Sequence, residues 1–275
     1  MKIGVTGFRG KLGSSLVRMG CEPLDCDVTI LDSVMGAIDM VRPDVIIHCA
    51  AKGNNKVDWC ETADGEKVAY AVNARGTANV RWSFSGPMIL VSTSYIFDGK
   101  HGPYGEKVRG VPNPVNAYGF TKLAAECLFM DEGPGTIVRT VGLFGGNGDD
   151  FAKTIIAQLS AGDPVNALVN LSFNPTYVPY LAEWLVQLAK MKNPPKVLNL
   201  AGSKVQSRYE FALAVAEVFG LDKKLVIPTR KVENWIAPRP RAAGLRIDLM
   251  KKLGFQLHDV IDGLTEMREL MYART

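Results

Sequence analysis

The sequence predicts an α/β fold in which a doubly wound parallel sheet carries helices on both faces, and three observations support that prediction. Short β-branched runs alternate with helix-like stretches through residues 1–145, the pattern that crossover-connected parallel strands require. A glycine triplet stands directly between the first strand-like run and the first helix-like one. The chain has 275 residues, 47% hydrophobic and 22% charged. That suffices for one large domain, or a core domain with a smaller lobe, and is ordinary globular usage.

Ile3 to Thr6 is the first strand, and residues 11–19 form the first helix with Leu12, Leu16 and Val17 on one side. A short second strand is expected over Cys21 to Leu24. Asp44-Val-Ile-Ile-His-Cys-Ala50, bounded in front by Pro43, is a buried strand. Residues 64–83 are expected as one helix and Met88-Ile-Leu-Val-Ser92 as a strand. A helix over 117–132 is stopped by Gly133-Pro134-Gly135, and the strand Thr136-Ile-Val-Arg-Thr140 follows. The pattern loosens after Gly145-Gly146-Asn147-Gly148. Later pieces are a helix near 179–191, a strand near 196–200, a helix near 206–219 and a helical tail beyond Pro238 and Pro240. Residues 1–145 are therefore expected to form the sheet domain, with segments near 179–202 completing it. Residues 146–275 form mostly a small, interleaved C-terminal lobe.

Composition excludes several classes. The net charge is +4 with no block of like charges, which suits an anionic small substrate and gives no reason to expect nucleic acid. No apolar run reaches the roughly 18 residues of a membrane span, and the N-terminus runs straight into a strand with no signal-peptide pattern. The five cysteines (Cys21, Cys26, Cys49, Cys60, Cys127) are scattered without a C-x-x-C, so reduced thiols and a cytoplasmic location are expected. His48, His101 and His258 lie far apart in sequence, and no metal site is expected.

Gly7-Phe-Arg-Gly10-Lys-Leu-Gly13 is G-x-x-G-x-x-G, a variant of the dinucleotide fingerprint. Gly7 serves the tight turn, Gly10 the close approach of a pyrophosphate, and Gly13 the packing of helix on strand. The amides opening the helix then face the phosphates. This makes the sheet Rossmann-type, with a nicotinamide dinucleotide as cofactor. An acid after the second strand, Asp25 or Asp27, would hold ribose hydroxyls and favour NAD(H); Asp27 could instead bond the adenine amino group. Arg9 inside the loop could pair with a 2′-phosphate, and the reading leans to NADP(H).

Tyr118-Gly-Phe-Thr-Lys122 sets a phenol and an ammonium on one helix face. The cation, with an oxidised nicotinamide, would lower the phenol's pKa from about 10 and let it exchange a proton with a carbonyl oxygen. Such a pair arises by chance about once in two chains of this composition, so its place matters more. Val91-Ser-Thr-Ser94 ends an apolar strand upstream, where parallel sheets hold ligands, and Thr93 would hold the carbonyl beside the phenol.

Taken in order, these motifs resemble an extended short-chain dehydrogenase/reductase. The chain resembles more narrowly the dTDP-4-dehydrorhamnose reductase family, along nearly its whole length. The matching stretches include Arg42-Pro-Asp-Val-Ile-Ile-His-Cys-Ala-Ala51, Val57-Asp-Trp-Cys-Glu61, Ala71-Val-Asn73, Ser92-Thr-Ser-Tyr-Ile-Phe-Asp-Gly99, Pro103-Tyr-Gly-Glu106, Asn116-Ala-Tyr-Gly-Phe-Thr-Lys122, Pro175-Thr176 and Arg239-Pro240. The resemblance implies Thr93, Tyr118 and Lys122 as catalytic residues and a nucleotide-sugar substrate in the C-terminal lobe, with a 4-keto-6-deoxy sugar reduced at C4. It implies cofactor contacts from Gly7, Phe8, Arg9, Gly10, Lys11, Leu12 and Gly13, from Asp27, Val28, Ala50, Ala51, Lys52 and Asn73, and from Tyr118 and Lys122. Substrate contacts are expected from Thr93, Ser94, Tyr95 and Arg239, the last against a diphosphate or, equally, as an arginine pinning a loop.

The chain departs from the family at three places. Ser94 stands where an aspartate follows the threonine, Gly142 replaces a tryptophan in Arg139-Thr-Val-Gly-Leu-Phe-Gly145, and Tyr180 replaces an aspartate in Pro175-Thr-Tyr-Val-Pro-Tyr-Leu-Ala182. The second and third are expected on the substrate side. Phe8-Arg9 and Ala51-Lys52 are similar to GDP-fucose synthase, which leaves an epimerase-reductase as an alternative. A sugar 4,6-dehydratase lacks support because Ser94 is no acid. A second class, the non-catalytic cofactor-binding regulatory subunit of methionine adenosyltransferase, is similar too. Cys60 and Lys52 carry no assigned acid–base role, and a homodimer is left open.

Overall fold

The computed structural model describes residues 1–53, 57–107, 112–130, 133–231 and 235–273. The sheet half contains β1 (Ile3–Thr6), α1 (Lys11–Arg18), β2 (Glu22–Pro23), α2 (Leu31–Val41), β3 (Val45–His48), α3 (Ala63–Tyr70), α4 (Gly76–Ser83), β4 (Met88–Thr93), α5 (Ala117–Met130) and β5 (Gly135–Thr140). The remainder contains β6 (Leu143–Phe144), α6 (Phe151–Ser160), β7 (Val165–Leu168), β8 (Ser172–Phe173), β9 (Thr176–Tyr177), α7 (Val178–Ala189), β10 (Val197–Asn199), β11 (Gln206–Ser207), α8 (Arg208–Phe219), β12 (Val226–Thr229), α9 (Asp248–Lys252) and α10 (Val260–Tyr272).

Six strands form one sheet in the order β10-β5-β4-β3-β1-β2, and every pairing is parallel. The fold is thus an α/β Rossmann-like sheet. Period-two alternation divides the strand side chains between two layers. Val5, Ile47, Ile89, Val138 and Leu198 pack with Leu12 and Leu16 of α1 and with Leu181, Leu185 and Leu188 of α7. Ile46, Met88, Leu90 and Ile137 pack on the other face with Val34 and Ile38 of α2, Val80 of α4 and Phe129 of α5. The first of these clusters runs on without a break into the C-terminal lobe, through Phe144, Phe211 and Val226.

The lobe is built from short pairings: β7 with β12 and β6 with β9, both parallel, and β8 with β11, antiparallel. Ser207 caps α8 reciprocally with Glu210, and Gly220 closes it at φ 66°, the signals that start and stop a helix. The chain goes outward from β1 to β2 and returns across β1 to β3. That reversal opens a crevice at the carboxyl ends of β1 and β3, where open parallel sheets bind ligands.

Two of the expected elements take a different form. The second strand is confined to Glu22–Pro23, although the Leu24 amide still donates to the Val5 carbonyl at 2.9 Å. The helix expected over 64–83 is interrupted by a π-helical turn at Ala71–Arg75. That turn seats Asn73 inward and brings Gly76 against Val28, where a β-carbon would stand 2.7 Å from a Val28 methyl. The helix expected over 117–132 is described to Met130; residues 131 and 132 lie outside the described residues. No helix among the described residues is long and apolar enough to cross a membrane.

Candidate active site

The loop after β1 is shaped by its glycines. Gly7 has φ 65°, and a β-carbon there would stand 2.6 Å from the Ala50 amide nitrogen after β3. At Gly13 it would stand 2.3 Å from the Gly7 carbonyl oxygen, so α1 sits directly on the loop. At Gly10 it would meet only that oxygen, at 3.1 Å, and Gly10 caps α1 with no side-chain bond. The first amides of α1 therefore have no side-chain acceptor at the cap, on the side where Gly10 leaves space. This cradle fits a pyrophosphate.

The neighbouring side chains have other commitments. Leu12 is buried in the core. Lys11 Nζ donates to the Asp149 carbonyl at 2.8 Å and to Asp150 at 3.2 Å, tying α1 to the loop after β6; burial pulls its pKa down. Arg9 lies 4.4 Å over the Phe8 ring and forms an exposed, two-point pair with Asp25 at 3.0 and 2.9 Å. Asp27 accepts from the Thr29 amide at 2.9 Å and its hydroxyl at 2.7 Å, and those bonds hold its carboxyl below the usual range. Val28 is core, and its carbonyl accepts from Asn79.

The half-buried Ala50 and Ala51 and the exposed Lys52 form the rim after β3. Asn73 holds that rim: its Oδ1 accepts from the Lys52 amide at 2.8 Å, while Nδ2 donates to the Lys52 carbonyl at 3.0 Å and to Thr121 at 2.8 Å. Fully buried, Asn73 shapes the cofactor side through the backbone it grips. His48 lies between Thr6 at 2.6 Å and Thr77 at 3.1 Å, and burial, aided by Lys122, brings its pKa down to about 3. It is a neutral core histidine.

Thr93 ends β4, and Asn116 starts α5 by accepting from the Gly119 amide at 2.8 Å. Gly119 permits the contact between them: a β-carbon there would stand 2.2 Å from the Tyr95 carbonyl oxygen. Tyr118 is thereby placed against Thr93, which hydrogen-bonds the phenol, with Tyr95 edge-on at 6.0 Å. Gly53 and Cys60 close the other side; a β-carbon on Gly53 would stand 3.1 Å from the Tyr118 ring and 2.2 Å from the Cys60 sulfur. Lys122 follows one turn later and donates to the Val91 carbonyl at 2.8 Å. Behind it Glu126 accepts from Ser92 and, at 2.7 Å, from Arg139.

Burial dominates the electrostatics of this set. Burial, with smaller contributions from Tyr95 and Cys60, raises the Tyr118 pKa, against the lowering by the Thr93 bond. The Lys122 ammonium is held one helix turn along by its bond to the Val91 carbonyl. Burial lowers Lys122 itself to about 8, with Glu126 opposing. The phenol is therefore a held proton, the state that reduction of a carbonyl needs.

The substrate-side residues are mixed. Ser94 is fully buried with no partner for its hydroxyl among the described residues. Arg239 is bound to Asp58 at 3.2 and 2.9 Å and to the Ala237 carbonyl at 2.7 Å, which makes it the pin of the segment entering from the lobe. Tyr180 contacts Tyr177, His258 and Glu266, so this departure ties α7 to α10. Gly142, at φ 64°, has the Phe173 ring where a β-carbon would stand 2.2 Å away. The sequence reading missed Arg208, whose guanidinium lies 4.4 Å from the Phe151 ring centroid. No motif marks it; only the fold assembles its surroundings.

Comparison with known proteins agrees with this geometry. The family model described as RmlD substrate binding domain matches residues 1–272. A dTDP-4-dehydrorhamnose reductase of Mycobacterium tuberculosis is 34% identical over 260 residues, covering 88% of this chain and 83% of that protein. The methionine adenosyltransferase 2 subunit beta of Danio rerio is 27% identical, covering 93% and 86%. The crystal structure of dTDP-4-dehydrorhamnose reductase from Bacillus anthracis in complex with NADP superimposes over 100% of both chains, with a TM-score of 0.88 at 27% identity. The chain belongs to the RmlD substrate binding domain family, as the resemblance of its sequence to the dTDP-4-dehydrorhamnose reductases implied.

Proposed function

We propose that this protein is an NADPH-dependent reductase that converts the 4-keto group of dTDP-4-dehydrorhamnose, or a closely similar 4-keto-6-deoxy nucleotide sugar, to the alcohol. The observation that carries the reading is the buried Thr93–Tyr118–Lys122 set at the carboxyl end of β4, beside the glycine cradle. When bound, the nicotinamide supplies the hydride that the carbonyl carbon receives. Tyr118 gives its proton to the carbonyl oxygen, so the C=O gains one hydride and one proton and becomes an alcohol. Thr93 donates to the same oxygen and orients it. Lys122 favours the phenolate left on Tyr118. Gly7, Gly10 and Gly13, with the first turn of α1, would hold the pyrophosphate, and the Asn73-braced rim would lie along the nicotinamide half.

The preference for NADPH rests on Arg9. Its pair with Asp25 is exposed, and such pairs are worth about 0–1 kcal/mol. A 2′-phosphate can therefore recruit Arg9 at small cost, with two-point geometry. The test offers NADPH and NADH with the dTDP sugar, then with GDP-4-keto-6-deoxymannose, following nicotinamide absorbance. Oxidation of NADPH by the dTDP sugar supports the reading. Turnover confined to the GDP sugar moves the protein to the fucose-type branch. Tight cofactor binding without turnover of either favours a regulatory role, the reading that the similarity to methionine adenosyltransferase 2 subunit beta supports.

A further inference from the structure

Arg208, the first residue of α8, sits in a collar of rings: Phe151 at 4.4 Å, Trp235 at 5.5 Å and Phe173 at 5.9 Å from its guanidinium carbon. Its side chain is hydrogen-bonded to that of Tyr95, yet its Nε is buried with no partner among the described residues. It forms no ion pair among the described residues. The nearby Arg239 shares Trp235, at 4.9 Å, but is neutralised by Asp58. Among the described residues, Arg208 is therefore the one of these two cations without a counter-ion. Aromatic faces offset part of the cost of keeping such a charge from water, and a guanidinium brings five donors in a planar fork suited to phosphate oxygens. The residue as a whole is not fully buried, which leaves a ligand an approach to it. Gly142 contributes as well, since any side chain there would displace the Phe173 ring that lines the collar.

The position of Arg208 matters as much as its charge. Tyr95 is bound to it through the side chain and presents its ring edge-on to Tyr118 at 6.0 Å. The cation thus stands one tyrosine away from the proton donor. In a nucleotide sugar the diphosphate leaves from C1, and C4 lies opposite across the ring. We propose that Arg208 is the specificity-determining cation that takes the substrate's diphosphate, with Tyr95 as the positioning residue that brings C4 to Tyr118. The proposal rests on the reductase reading for the identity of the substrate, and its test separates the two.

Calorimetry with cofactor-loaded protein compares binding of dTDP and thymidine to the wild type, Arg208→Met and Arg208→Lys. The expected result is a loss of about 10- to 100-fold in dTDP affinity for Arg208→Met, with thymidine and NADPH binding unchanged. KM for the nucleotide sugar rises in parallel, while Tyr95→Phe lowers kcat more than it raises KM. Equal dTDP affinity in wild type and Arg208→Met overturns the proposal. If Arg208→Met does not fold, Arg208→Lys, which keeps the charge and loses the fork, should still bind dTDP several-fold more weakly; equal affinity overturns the proposal there too. Because binding is read without turnover, an Arg208-dependent dTDP site in a protein that reduces no sugar upholds the site and defeats the reductase reading.

Discussion

At the scale of residues, burial decides the chemistry. Tyr118 and Lys122 are 7% and 3% exposed, and burial moves each toward its neutral form. Lys122 titrates near 8 in the fold and at 10.5 as a free side chain, so below pH 8 the folded chain bears the whole cost of a buried ammonium. That cost is on the order of 3 kcal/mol and declines as pH rises from 8 to 10.5. Lys122→Met should therefore unfold at higher urea than the wild type at pH 7, by about 1–3 kcal/mol, while losing turnover; the difference should close toward pH 10. A less stable or equally stable variant at pH 7 contradicts the burial argument. His48 acts at the other end of the scale. Its unfolded form takes a proton near pH 6.5 and its buried form only near 3, so stability is lost as pH falls through that window, by about 1.4 kcal/mol per unit. His48→Gln should flatten the dependence of unfolding free energy on pH between 6 and 4 by one proton.

At the scale of elements, what could be read from sequence was whatever has a local cause. The glycine spacing needs only the loop between β1 and α1, and the β-branched runs of β3 and β4 need only their own burial. α2 was not anticipated because its start has no capping signal: Ile30 makes no side-chain cap bond. The π-helical turn at Ala71–Arg75 was invisible because its cause is distant. Asn73 must reach both Lys52 and Thr121, which are joined only in the fold. Arg208 was missed for the same reason, since its collar is drawn from α6, β8 and the segment after β12. The glycine loop gives a paired test. Gly13→Ala drives a methyl against the Gly7 carbonyl and should destabilise the chain by more than about 2 kcal/mol. Gly10→Ala meets one atom at the edge of tolerance, so it should fold near normally and bind NADPH at least tenfold more weakly. Thermal melts with cofactor titrations check both, and the reverse ranking would assign the open side of the loop wrongly.

At the scale of the molecule, the sheet and the lobe share one hydrophobic cluster and are further joined over the site by Asp58. Its carboxylate accepts from the Ile236 and Ala237 amides and from Arg239, so a sheet-half residue holds the lobe segment in place. Asp58→Ala leaves Arg239 and two amides without that acceptor. It should cost about 1–3 kcal/mol, lowering the melting midpoint by several degrees, and raise KM for the nucleotide sugar more than it changes NADPH affinity. Unchanged KM would separate the pin from the substrate.

In the proposed function, the fold holds a protonated phenol where a nucleotide-sugar carbonyl is reduced. The most direct measurement is single-turnover oxidation of NADPH by the dTDP-4-keto sugar in wild type and Tyr118→Phe, each with its NADPH affinity measured separately. The expected result is unchanged NADPH affinity and a loss of about 10²- to 10⁴-fold in the rate of hydride transfer. A Tyr118→Phe variant that reduces the sugar at the wild-type rate contradicts it.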